Sequence, residues 1–161
     1  MTHPLIEEAG KKAAIGWFAV DGGPAYALWC MPLDGRICLV TGPGEQDLPG
    51  IGEESAVTVT LRGDHGGNVV SFPAAVTRVR PEMDLWETVA PQLAGKRLNS
   101  SGTAEQVVER WSRECAVWML APAGDPLPRE TSSGAAEPRP TSAANVTRKP
   151  FKLHRVRRRR T

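Results

Sequence analysis

No stretch of this 161-residue chain approaches the roughly 20 uninterrupted apolar residues that cross a bilayer. The N-terminal THPLIEEAGKK also lacks a basic region followed by an apolar one. A membrane helix and a secretory leader are therefore not expected, and the chain reads as cytoplasmic. Cysteine is scarce: Cys30, Cys38 and Cys115 are an odd set, which favours reduced, buried thiols over a disulfide framework. His3, His65 and His154 are isolated, so no His/Cys cluster has metal-ligand spacing and no metal is expected. Neither a GxxxxGK[ST] nor a GxGxxG pattern occurs. No paired carboxylates and no nucleophile with a base stand out, so no catalytic residue is assigned.

Aromatics are few, yet five are tryptophans (Trp17, Trp29, Trp86, Trp111, Trp118), all upstream of residue 119, where the core is expected. Acid is missing from residues 145–161, which carry eight basic residues: Arg148, Lys149, Lys152, Arg155, Arg157, Arg158, Arg159 and Arg160. Of the chain's 20 Lys and Arg, these eight leave 12 against 18 Asp and Glu, so the remaining body is acidic by about 6 charges. From Gly124 onward the composition is Pro, Ser, Thr, Ala and charge without periodicity, and ordering it would cost more entropy than its apolar surface offsets. The expected organisation is a folded domain over 1–123 and a disordered linker with a basic tail over 124–161. Such a tail is read as contacting nucleic acid or an acidic partner by counterion release.

Along the body, Pro4 and the pairs Glu7/Lys11 and Glu8/Lys12 predict a first helix ending near Ala13. Strands are expected at 14–20, 25–33, 36–41, 56–62, 68–79 and 115–122. Pro73 marks its strand as an edge or a bulge. Helices are expected over 82–98, interrupted by Pro91, and from Thr103, where Thr103 and Gln106 form a capping box. His65 falls in a Gly-rich turn and reads as a solvated turn residue.

Asp34-Gly35 is a strong two-residue hairpin signal. It fixes a register in which paired residue numbers sum to 69, so Cys30 faces Leu39 and Cys38 faces Met31. Adjacent pairs alternate in face, which sends the two thiols to opposite sides and excludes a shared metal or disulfide. One face then carries Trp29, Met31, Cys38 and Val40, and the other Leu28, Cys30, Ile37, Leu39 and Thr41. Both faces are apolar, so both are covered, as in a small barrel with helices or a second subunit on its outside.

The order GGPAYALW, hairpin, LVTGPGEQDLPGI and AVTVTLR resembles the flavin-binding split-barrel superfamily, the group of pyridoxamine 5′-phosphate oxidase and its deazaflavin-dependent relatives, over residues 12–121. The resemblance implies a mainly β fold, a six-stranded antiparallel split barrel with flanking helices. It also implies a homodimer and an FMN or deazaflavin ligand at the subunit interface, with hydride chemistry belonging to the cofactor. The sequence departs from the pattern at two basic positions, one falling near Tyr26 and the other at Glu45, Gln46 or Asp47. Negative charge there is expected to repel a phosphate. The compact alternative is Lys96-Arg97 with Asn99. The cofactor-binding candidates are therefore Trp29, Thr41, Gln46, Lys96, Arg97 and Asn99. Two functions remain open: a flavin-dependent oxidoreductase of unassigned substrate, and a non-catalytic split-barrel dimer that binds a ligand or partner.

Overall fold

The computed structural model describes residues 2–62 and 70–128. The basic tail, His65 and the turn around it lie outside the described residues.

The chain begins with α1 (Pro4–Gly10), capped by the His3 imidazole accepting from the Leu5 amide. The helix stops at Gly10, short of Ala13, and its buried Ile6 faces the barrel interior. β1 (Ile15–Val20) then pairs antiparallel with β2 (Ala25–Trp29), and β3 (Met31–Leu33) pairs with β4 (Arg36–Thr41). The remaining elements are β5 (Val57–Leu61), β6 (Val70–Val79), α2 (Asp84–Lys96), α3 (Ala104–Glu114) and β7 (Ala116–Pro122).

Seven strands form one sheet in the order β2-β1-β5-β6-β7-β4-β3, with every strand pair antiparallel. The seventh arises because the expected strand 25–33 divides at Cys30. The hairpin register is as derived for Met31↔Cys38, Pro32↔Ile37 and Leu33↔Arg36. It ends there, and Cys30 does not face Leu39. Instead the Cys30 amide donates to the Ala14 carbonyl, continuing the ladder toward β1. β2 and β3 are thus the two edges of the sheet although a single residue separates them in sequence. A flat sheet cannot satisfy that connection, so the sheet curls until its edges meet at Cys30, giving a barrel split at this point.

Alternation along the strands divides the core in two. The inner cluster includes Phe18, Leu28, Cys30, Leu39, Val59, Leu61, Phe72 and Leu120. The outer one joins Met31, Cys38, Val40, Val117 and Met119 to Trp86, Val89 and Leu93 of α2 and to Val107 and Trp111 of α3. Cys30 and Cys38 lie on opposite faces, as expected, although Cys30 stands outside the hairpin register, and burial pushes each thiol up to about 12, which keeps both protonated. Helices cover part of the outer face. Among the described residues no helix packs on the rest, where Trp17 pairs with Ala27 and Thr60 and lies under the Arg62 guanidinium at 4.7 Å.

Pro73 is neither at an edge nor in an edge strand. It sits in β6 between β5 and β7, opposite Thr58. Its carbonyl accepts from the Ala123 amide just beyond β7. A residue's N–H and C=O point to the same side of a strand, so the missing donor faces the place where β7 runs out. α2 likewise runs through Pro91, while the Thr103/Gln106 capping box opens α3 as its sequence predicts.

Candidate functional site

The Gly-Pro-Gly loop after β4 is not an open phosphate cradle. Its centre is Glu45, whose side chain is 1% exposed. Arg97 Nε donates to Glu45 Oε2 at 2.7 Å, Trp111 Nε1 donates to Oε1 at 3.0 Å, and the Arg110 guanidinium pairs with Oε1. The same cations hold the loop's backbone: Arg97 donates to the Gly44 carbonyl at 3.1 Å and Arg110 to that of Pro43 at 2.8 Å. Burial pushes the Glu45 carboxyl up, but the hydrogen bonds from Arg97, Trp111 and Arg110 and the Arg97 charge outweigh it and leave the group below the ordinary carboxylate range. The expected repulsion of an anion by Glu45 is therefore cancelled, because two guanidiniums share this one carboxylate.

A group depressed in the folded state stabilises fully above its unfolded pKa of about 4.3, and that contribution is lost as pH falls through the lower folded value. Urea midpoints followed from pH 6 downward should thus fall more for the unaltered chain than for Glu45→Gln, which lacks the titrating group. Equal acid sensitivity of the two would remove Glu45 as a source of stability.

Gln46, next in sequence, is also fully engaged. Its Oε1 accepts from the Trp29 amide and its Nε2 donates to the Trp29 carbonyl, both at 2.8 Å. β2 is a sheet edge, so Trp29 has no strand on that side, and the Gln46 amide substitutes for one. Thr41 is buried, with its Oγ1 accepting from Trp118 Nε1 at 2.9 Å.

In front of this loop a cleft of about 780 Å³ lies over the split in the barrel. The end of α1 contributes Lys11 and Lys12, the β2–β3 junction Trp29 and Met31, and the end of α2 Gln92, Lys96, Arg97 and Leu98. No Asp or Glu lines it among the described residues. Lys11 pairs with Glu7 at 3.2 Å on the exposed surface of α1. Ile15 is 54% and Leu98 84% exposed, and both belong to this cleft. Large apolar side chains left in water beside a basic rim mark a surface that a ligand or partner covers. The donors and the aromatic wall fit a planar ring system that carries an anionic group.

Of the cofactor-binding candidates, the fold brings Trp29, Lys96 and Arg97 together in this cleft. Asn99 lines a neighbouring hollow of about 400 Å³, with Arg97, Ser100, Ser101 and Arg110. Thr41 and Gln46 lie behind the cleft with their polar atoms engaged. Sequence reasoning missed Lys11 and Lys12, which it spent on helix ion pairs, and Arg110, whose one signal was its place beside the apolar-stripe residue Trp111. Among the described residues no group of His, Cys, Asp and Glu has the arrangement of a metal site.

No protein-family model and no curated protein matches the chain. Solved structures do. HutZ, the heme storage protein from Vibrio cholerae, is 13% identical with a TM-score of 0.52, covering 79% of this chain and 94% of its own. A conserved hypothetical protein from Mycobacterium tuberculosis is 17% identical with a TM-score of 0.56, over 84% and 94%. An F420 reductase is 16% identical with a TM-score of 0.50, over 73% and 93%. At such identities the likeness is one of fold, and it agrees with the curled antiparallel sheet and its helices: the chain has the split-barrel fold that these structures share.

Proposed function

We propose that this protein binds FMN or a deazaflavin in the cleft over the barrel split and acts as a flavin-type oxidoreductase. The observation that carries the reading is the cleft itself: Trp29 offers a ring-sized apolar wall, Lys96 and Arg97 stand at one rim and Lys12 at the other, and no carboxylate lines it among the described residues. Bound flavin would supply the hydride chemistry. This chain's residues would bind and orient it, Trp29 against the ring and Lys96 with Arg97 toward a phosphate. Heme, named in one structural neighbour, fits less well. The cleft's sulfur donors are Cys30, buried and held protonated, and the buried Met31, and no imidazole lines it among the described residues.

The test is a titration of the purified full chain with FMN and with a reduced deazaflavin, followed in the visible spectrum. A bound species with one of them at micromolar protein is the expected result, and the absence of both refutes the reading.

The outer sheet face on which no described helix packs supports a homodimer. Trp17, Ala19, Ala27, Thr58 and Thr60 form a neutral surface of small and aromatic side chains, interrupted by Arg62, which lies 4.7 Å above the Trp17 ring. An isologous pairing across this face would cover the side of the barrel that no described helix covers. Sedimentation of the full chain should give twice its 17.4 kDa mass. Ala27→Arg, an exposed position with no packing role, should give the monomer. A monomeric unaltered chain sinks the dimer.

A further inference from the structure

We propose that Glu45 and Gln46 are the positioning residues of the cleft, each fixing from behind one of the two side chains that meet the ligand. Glu45 aims the Arg97 guanidinium, and Gln46 sets the Trp29 ring. The inference rests on the flavin-type reading of the cleft and deepens it, because neither residue lines the cleft itself.

The two supports are consecutive in sequence and belong to one rigid loop. Gly42 donates to the Gln46 carbonyl at 3.2 Å, and Glu45 donates to that of Gly42 at 2.9 Å. Gly42 has a φ of +133°, and a Cβ there would meet Cys115 Cα at 3.0 Å, so the loop is pressed onto the start of β7 where only glycine fits. Thr41, at its base, is pinned through Trp118. The loop therefore has little freedom to shift, and what it holds is held firmly.

For Arg97 the consequence is preorganisation. A free arginine gives up much of its rotamer entropy when it is fixed. Here Nε is committed to Glu45 at 2.7 Å, one terminal nitrogen to the Gly44 carbonyl at 3.1 Å and the other to the Leu98 carbonyl at 3.3 Å, which leaves the second N–H of each terminal nitrogen for a ligand. Arg110 and Trp111 hold the same carboxylate, so Glu45 does not swing out with Arg97. For Trp29 the consequence is register. Gln46 caps both backbone polar groups of the last β2 residue, at the edge where the strand would otherwise fray. On its other side Trp29 pairs with Ile15 of β1. The ring is thereby fixed between β1 and the loop.

The loop thus divides its labour. Glu45 acts on the charge-binding half of the cleft and Gln46 on the ring-binding half. Titrating full-length variants with FMN and with lumiflavin, which has the ring and no phosphate, separates the two. Glu45→Gln is expected to weaken FMN about tenfold or more, because an Arg97 no longer held in place loses more than the removal of one negative charge returns, while lumiflavin stays within about twofold. Gln46→Ala is expected to weaken both flavins alike. Equal losses of FMN and lumiflavin in Glu45→Gln, or an FMN-selective loss in Gln46→Ala, overturn the division. Should Glu45→Gln fail to fold, Glu45→Asp, which keeps the charge and draws it back from Arg97, reads the same FMN-selective loss, and unchanged FMN affinity in it overturns the role of Glu45.

Binding of neither flavin by the unaltered chain would be a failure of the flavin reading, and positioning is then read without it. Gln46→Ala should raise amide hydrogen exchange at Trp29 by about tenfold, the worth of a lost backbone hydrogen bond. Glu45→Gln should weaken binding of inorganic pyrophosphate, and its own Trp29 exchange should match the unaltered chain. Unchanged exchange in the first variant, or unchanged pyrophosphate binding in the second, overturns the proposal for that residue.

Discussion

Trp111→Ala is expected to cost about 4.5–8 kcal/mol of folding stability, a large share of the roughly 5–15 kcal/mol that holds a domain together. The side chain is fully buried in the outer core, where α3 packs against Val89 and Leu93 of α2 and against β4 and β7. Truncating a buried tryptophan leaves a cavity worth about 3–5 kcal/mol. Trp111 also donates to the buried Glu45 carboxylate at 3.0 Å, and a hydrogen bond to a charged group adds about 1.5–3 kcal/mol. Trp111→Phe separates the two effects, since it keeps most of the ring and loses the N–H. Its cost should lie near the hydrogen-bond figure alone. Denaturant unfolding of both variants measures the pair. A loss below about 2 kcal/mol in Trp111→Ala would mean that the core collapses onto the gap and that α3 is not anchored as described.

Lys96→Glu is the counterpart on the binding side, with an expected loss of about ten- to hundredfold in FMN affinity at 0.1 M salt and almost none in stability. Lys96 is exposed at the last turn of α2 and lines the cleft beside Arg97. Reversing its charge about 5 Å from a phosphate dianion changes the interaction by some 3 kcal/mol in water-like dielectric, which screening by salt roughly halves. A partly desolvated cleft pushes the figure the other way. The variant should also show a shallower dependence of affinity on salt, because one attraction has become a repulsion. Calorimetric titrations at two salt concentrations check both, alongside thermal melts expected to agree within about 0.5 kcal/mol. Unaltered FMN affinity would place the phosphate elsewhere.

Much of the site was legible in pieces and illegible as a whole. Lys96-Arg97 stood out as a compact basic pair and Trp29 as the aromatic at a strand end, and both line the cleft. Gln46 is a cofactor-binding candidate in the sequence, yet its amide atoms face the Trp29 backbone 17 positions away. Glu45 looked like a charge that would repel an anion. That reading took its charge as free, whereas Arg97 lies 52 positions on and Arg110 65, so no local pattern links them. The ends of α1 and α2 face each other across the split only because the sheet curls, and Lys11 and Lys12 gain their place in the cleft from that curl.

The sequence by itself determined what neighbouring residues settle among themselves. Asp34-Gly35 imposed the hairpin register, alternation placed Cys30 and Cys38 on opposite faces, Thr103 and Gln106 capped α3, and two apolar faces required two cores. Each follows from local backbone geometry and the period of two along a strand. Only the tertiary structure decided where the long strand breaks, which cations take the Glu45 charge, and what converges on the split. The break at Cys30 trades continued pairing with β4 for pairing with β1, a choice set by how the whole sheet closes and not by Trp29, Cys30 or Met31. Buried charge is likewise resolved by whichever partners the fold brings within reach, and here the fold brings two arginines to one carboxylate and leaves a basic cleft in front of it.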